Sequence, residues 1–191
     1  PDTAVYGLGE KSGRLDKRGQ LLRSFNRDAL GLNAEWSYKN APFGWSPDGW
    51  GLFVHTGAPV THGVGYGSWS QRAYLALVED QALDAFIFTG EGGAAQLAQY
   101  TALTGRAPVP PDWSLGVILS KAYYKDSAEI LAVAREVRAR GMPCEVITFD
   151  GRAWQDTDTR FAFEWCPKRY PDPRPTIAAL KDMGFRICVW E

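Results

Sequence analysis

Apolar and polar residues alternate in short runs over about the first 90 positions, and Gly, Pro, Asn and Asp bound the runs. Gly51-Leu52-Phe53-Val54-His55 and Asp84-Ala85-Phe86-Ile87-Phe88 show the period of two, which predicts antiparallel strands. Ser46-Pro47-Asp48-Gly49 predicts a hairpin turn, because Pro presets one φ and Gly supplies a positive one. From Ala94 to Thr104 the period lengthens. Leu97, Ala98 and Leu103 recur at helical spacing until Gly105 and Pro108-Val109-Pro110-Pro111 interrupt the run. A boundary is expected there, between domains spanning 1–107 and 108–191.

The second part alternates strand and helix. Leu115 to Ser120 is a near-continuous apolar run, as expected for a strand buried on both faces of a parallel sheet. Asp126 and Glu129 fit an acidic capping box. Ile130, Val133, Ala134 and Val137 make one helical face, and Gly141 is placed to end the helix. The strand Glu145 to Phe149 follows and ends at Asp150. Asp172 with Pro173 marks a second helix start, Ile177 and Leu180 give its inner face, and Gly184 closes it before the strand Arg186 to Trp190. Units of this kind predict a parallel α/β layer or barrel.

The chain has 191 residues, 45% hydrophobic and 13% aromatic, enough for a sizeable core. Its 21 basic and 22 acidic residues are spread along the chain, which argues against nucleic acid and membrane surfaces as partners. Cys144, Cys166 and Cys188 are odd in number and lack metal-ligand spacing, so reduced thiols are expected and the cytoplasm is the default location. No residue cluster indicates a cofactor or metal, and homo-oligomerisation is left open. No apolar run has the length of a bilayer span. The chain begins at Pro1, so a leader removed upstream stays open, and it ends in Ile187-Cys188-Val189-Trp190-Glu191, a strand without a turn or cap. Both ends therefore suggest a piece of a longer protein.

In α/β folds the loops after the strands carry the chemistry, which nominates Lys121 to Tyr124, Asp150 to Trp154, and Trp190 with Glu191. The stretch from Gly151 to Pro171 is roughly 20 residues, against about 2 to 6 for ordinary connections. Its Trp154, Phe161, Phe163 and Trp165 predict an ordered lid. Aromatic rings beside carboxylates suit sugars, because a pyranose stacks its C–H face on a ring while its hydroxyls donate to a charged acceptor. Glycoside hydrolysis takes two carboxyl groups. Asp150, Asp156, Asp158, Glu164 and Glu191 are available, but their spacing does not show that any two converge.

Several segments resemble, in order, those of glycoside hydrolase family 31. Tyr6-Gly7-Leu8-Gly9-Glu10 looks like the family's YGLGE strand, Phe25-Asn26-Arg27-Asp28 resembles its WNRD loop, and Tyr38-Lys39-Asn40-Ala41-Pro42-Phe43 is similar to YKNIPF. Gln99-Tyr100-Thr101 to Gly105-Arg106, followed by Pro110-Pro111-Asp112-Trp113-Ser114-Leu115-Gly116, resembles QYTxLTGRPxxPPxWSxG. Phe149-Asp150 falls where the family ends its second barrel strand. Phe163-Glu164-Trp165 to Tyr170-Pro171-Asp172-Pro173 looks like FEWDxxxFPDP, and Ile187-Cys188-Val189-Trp190 is similar to the third strand.

The resemblance implies the C-terminal part of a mutarotase-like β-sandwich with its linker helix, then the first strands of a (β/α)8 TIM barrel that cleaves α-linked glucosides or xylosides with retention. It implies that Asp150 binds hydroxyls of the non-reducing sugar, that Trp190 and Tyr123 line the subsite, and that Asp28 reaches in from the sandwich. The nucleophile and acid would lie on later strands, beyond Glu191, leaving this chain inactive alone. Cys166 stands where the family usually has Asp, and Gly151-Arg152-Ala153 replaces a more aromatic or acidic stretch, which bears on sugar choice.

Plainer readings stand beside these. Asp150 can cap its own loop, Trp190 can be core, Asp28 can pair with Arg27, and Tyr124 can do the lining in place of Tyr123. Lys121, Arg152 and Glu191 read as solvated charges rather than an anion site. His55 and His62, placed near turns without a Ser or Cys partner, read as structural polar residues, and Gly63, Gly65 and Gly67 as turn or bulge positions. The rival function is a non-catalytic sugar-binding β-sandwich module.

Overall fold

The structure is a computed structural model that describes residues 3–28, 36–155 and 163–190. The chain divides into two compact units, Pro1–Ala107 and Pro108–Glu191.

The first unit holds β1 (Tyr6–Gly7), β2 (Gln20–Ser24), β3 (Phe43–Ser46), β4 (Trp50–Val54), β5 (Val60–Val64), β6 (Tyr74–Val78) and β7 (Ala85–Thr89). They form two antiparallel sheets, ordered β1-β3-β4-β7 and β2-β5-β6. The hairpin between β3 and β4 turns at Gly49, whose φ is +96° and whose N–H donates to Ser46 O at 3.1 Å. The Tyr6 to Glu10 segment lies against the Lys39 to Phe43 backbone. Leu8 N–H donates to Phe43 O at 2.9 Å and Glu10 N–H to Lys39 O at 2.7 Å. That approach leaves no room for a Cβ at Gly9, where it would sit 2.5 Å from Lys39 O and where φ is +78°.

Phe43, Phe53 and Phe88 form an aromatic core, and α1 (Gly92–Thr104) lays Tyr100 on it, stacked on Phe43 at 4.1 Å. The expected apolar stripe of this helix does not face inward, since Leu97 and Leu103 are each about half exposed. The buried residue is Gln96, four residues before Tyr100. Its Nε2 donates to Ser46 O and Gly90 O at 3.2 and 3.1 Å, which ties the helix to the ends of β3 and β7. Gly63 is a strand position and neither turn nor bulge; the Trp69 ring packs where its Cβ would be.

The second unit contains β8 (Ile118–Lys121), α2 (Ser127–Ala139), β9 (Val146–Phe149), the short α3 (Gly151–Trp154), α4 (Arg174–Asp182) and β10 (Arg186–Val189). The sheet order is β10-β9-β8 and both pairings are parallel. Asp126 caps α2, its Oδ1 accepting from Glu129 N–H at 2.9 Å, while the Glu129 carboxylate reaches back to Lys125 N–H at 2.5 Å. Asp172 accepts from Arg174 N–H at 3.1 Å, and α4 starts one residue later than Pro173 suggests.

Ile130, Ala134 and Val137 of α2 and Leu180 of α4 pack on Ile147 and Phe149 of β9, with Leu119 and Ile187 beside them. Residues of the other parity, such as Ser120, Thr148 and Cys188 in one register row, point to the opposite face. Only β9 is buried throughout. β8 and β10 are the outer strands of the three described and are largely exposed here, unlike the burial on both sides expected for the first strand. That strand also starts later than expected, because Asp112–Leu115 form a 3-10 turn.

Candidate functional site

The C-terminal ends of the parallel strands bring Asp150 and Trp190 to one level, where Trp190 N–H continues the ladder by donating to Phe149 O at 2.8 Å. By the alternation of the strands, both residues belong to the parity that points away from the helices. Asp150 is partly buried and precedes α3, yet its side chain makes no capping bond, and among the described residues its carboxylate has no ion pair. Trp190 is half exposed. Its carbonyl accepts from Trp154 Nε1 at 2.9 Å. Tyr123 is half exposed, whereas Tyr124 is fully buried in the core. Lys121 is committed to Glu129, with Nζ 2.5 Å from Oε1.

The stretch after Asp150 begins as a helical turn rather than as a loop. Its aromatics divide. Trp154 is buried, Trp165 packs on Phe149 at 5.3 Å, and Phe163 is exposed at φ +57°. Phe161, Asp156, Asp158 and Glu191 lie outside the described residues, and Glu164 is exposed. Arg169, which the sequence pattern did not single out, donates from Nη1 to Tyr124 O at 2.8 Å and Ala153 O at 3.1 Å, and from Nη2 to Gln155 O. Nothing periodic marks it, because its partners are 45, 16 and 14 residues away. Burial pushes the Cys166 thiol up, but the N–H groups of Arg169 and Lys168 and the Arg169 guanidinium outweigh it and hold the pKa below the usual thiol value.

In the first unit Asp28 is exposed at the start of a segment whose base is tied by Asn26 and Asn40. Asn40 donates from its backbone N and Nδ2 to Asn26 Oδ1 at 2.8 and 2.9 Å, and Lys11 Nζ reaches Arg23 O and Ser37 Oγ. Arg27 does not pair with Asp28; its guanidinium lies 4.3 Å from the Trp36 ring centroid. A cavity of about 200 Å³ beside this base is lined by Ser24, Phe25, Asn26 and Asn40 with Thr56 to Ala58.

His62 has the serine partner that the sequence did not reveal. Its Nε2 lies 2.9 Å from Ser24 Oγ and its Nδ1 2.8 Å from the Tyr74 hydroxyl. His62 is also central in β5, not at a turn. Burial, and then the charge of Lys11, lower its pKa from 6.5 to about 4. An imidazolium formed by taking the Ser24 proton would be buried, opposed by Lys11 and partnered by a phenol instead of a carboxylate, so the group does not work as a nucleophilic triad. It remains a structural network.

Residues 107–191 match the glycosyl hydrolases family 31 TIM-barrel domain, and residues 1–62 match the glycosyl hydrolase 31 N-terminal galactose mutarotase-like domain. The two units are therefore part of a mutarotase-like β-sandwich and the start of a TIM barrel. The chain belongs to glycoside hydrolase family 31. It is 31% identical over 191 residues to alpha-xylosidase XylQ of Lactiplantibacillus pentosus, covering 99% of this chain and 24% of that protein. It is 31% identical over 198 residues to alpha-glucosidase 2 of Bacillus thermoamyloliquefaciens, covering 95% of this chain and 23% of that protein. Among solved structures, a GH31 dextranase of Flavobacterium johnsoniae complexed with glucose superimposes with a TM-score of 0.88 at 28% identity, covering 98% of this chain and 23% of that one. The chain thus spans about a quarter of the length of these relatives. Among the described residues no helix is long and apolar enough to cross a membrane.

Proposed function

We propose that the protein carrying this chain is a retaining α-glycoside hydrolase acting on α-linked glucosides or xylosides, and that this chain supplies part of its sugar-binding surface. The units Pro1–Ala107 and Pro108–Glu191 are read as the sandwich with its linker helix and as the start of the catalytic barrel. The observation that carries the reading is the carboxylate of Asp150, uncommitted among the described residues, at a parallel strand end and level with the half-exposed Trp190. A carboxylate kept off its own helix N-terminus is available to accept hydrogen bonds from sugar hydroxyls, and such charge-assisted bonds are the stronger kind.

In this reading Asp150 accepts from the hydroxyls of the non-reducing sugar, Trp190 stacks on its C–H face, and Tyr123 borders the same subsite. Asp28 is a further sugar contact from the sandwich. Retention requires a nucleophile and an acid whose carboxyl groups lie about 5 Å apart. The reading places both outside these 191 residues, so the isolated chain hydrolyses nothing. The thiols Cys144 and Cys188, free among the described residues, support a reducing compartment such as the cytoplasm.

The test is hydrolysis of p-nitrophenyl α-glucoside and α-xyloside by the full-length protein, wild type against Asp150→Ala. A fall in kcat/KM of at least about 10²-fold, roughly 2.7 kcal/mol of transition-state binding, supports the reading and the favoured substrate identifies the sugar. A folded wild type inactive on both overturns it in favour of the binding-module alternative.

A further inference from the structure

Arg169 lies near the far end of the connection from β9 to α4, yet its guanidinium reaches both the loop after β8 and the turn that opens its own connection. The acceptors are Tyr124 O after β8, and Ala153 O and Gln155 O after β9. These carbonyls adjoin the proposed sugar contacts: Tyr124 follows Tyr123, and Ala153 N–H donates to Asp150 O at 2.6 Å. The guanidinium also lies over the Tyr123 ring, 5.1 Å from its centroid, and 5.7 Å from that of Tyr170. Only arginine offers several coplanar donors on one permanently charged group. Lysine would bring the charge without the fork.

We propose that Arg169 is a positioning residue that locks the loop bearing Tyr123 to the turn following Asp150, so that ring and carboxylate form one preorganised sugar subsite. The clamp stands on the geometry alone, while its consequence for sugar rests on the glycosidase reading. Without the clamp the loops move separately, and part of the sugar's binding energy is spent ordering them. The loss then falls on KM more than on kcat.

The experiment uses the full-length protein with Arg169→Ala and Arg169→Lys, the lysine variant serving if the alanine variant does not fold. Amide exchange is followed at Lys125 in the first loop and at Ala153 and Gln155 in the second, each of which donates a hydrogen bond in the folded chain. Steady-state kinetics are measured on the two p-nitrophenyl glycosides with and without added methylguanidinium. Faster exchange in both loops, α2 being unchanged, together with a KM raised about 10-fold or more at a less affected kcat, supports the proposal. Saturable recovery of KM in Arg169→Ala by methylguanidinium supports it further, since a merely structural loss would not be rescued. Unchanged exchange in either loop overturns the clamp, and an unchanged KM in an active variant with loosened loops overturns the positioning role. A wild type that cleaves neither glycoside overturns the glycosidase reading. Loops that loosen together in that case still support the clamp, and loops that do not overturn it.

Discussion

Acidification is expected to weaken the first unit through His62. The ring is fully buried in β5, and both nitrogens are hydrogen-bonded to hydroxyl groups. Its pKa in the folded chain is about 4, against 6.5 when unperturbed, with burial as the larger cause and Lys11 the smaller. Between these values the unfolded chain binds a proton that the folded chain does not, so stability is lost as pH falls from about 6.5 to about 4 and levels off below. At about 1.4 kcal/mol per unit, a shift of about 2.5 units corresponds to about 3 kcal/mol in all, of which about 2 kcal/mol has gone by pH 5. Urea unfolding followed by tryptophan fluorescence, from pH 7 to 4.5, measures it in wild type and His62→Gln. Other carboxylates contribute to both proteins, so the difference isolates the imidazole. Wild type should lose about 2 kcal/mol more than the variant between pH 7 and 5. Parallel pH profiles, or a His62 resonance titrating near its ordinary value, would refute the reasoning.

Two further substitutions follow from the packing. Gly9→Ala puts a methyl group 2.5 Å from Lys39 O and 2.6 Å from Ala41 N at a φ of +78°, so a loss of at least about 2 kcal/mol is expected. An unchanged melting temperature would show that the Lys39 to Ala41 backbone yields freely. Tyr170→Phe keeps the ring packed on Trp165 and Phe149 while deleting a buried hydroxyl that has no hydrogen-bond partner among the described residues. Stability should therefore be unchanged or rise by up to about 1 kcal/mol in the same unfolding assay, and a clear loss would contradict the bareness of that hydroxyl.

Much of the architecture was legible locally. Asp126 and Glu129 announced the start of α2, the apolar face of that helix is the one that packs on β9, and Gly49 turns the hairpin that its tetrapeptide predicted. Caps, turns and periodicity are set by residues within a turn or two of each other, and they suffice to place Asp150 and Trp190 at strand ends. The resemblance to family 31 rested on such ordered local segments, and the comparisons bear it out.

Several of the failures involve residues chosen by a distant partner. The inward face of α1 is set by Tyr100 stacking on Phe43 and by the carbonyls that Gln96 bonds, so its leucines stay outside. Ser24 meets His62 across 38 residues, and Arg169 meets Tyr124 across 45. The exposure of β8 and β10 follows from their being edges, a property of strand order rather than of composition. The sequence by itself determined the main helices and strands of the second unit, the cap of α2 and the ends of the parallel strands, because those depend on neighbours along the chain. Which side chains are buried, which pair and which stay free at the strand ends was decided only by tertiary structure, because desolvation and hydrogen bonding depend on neighbours in space.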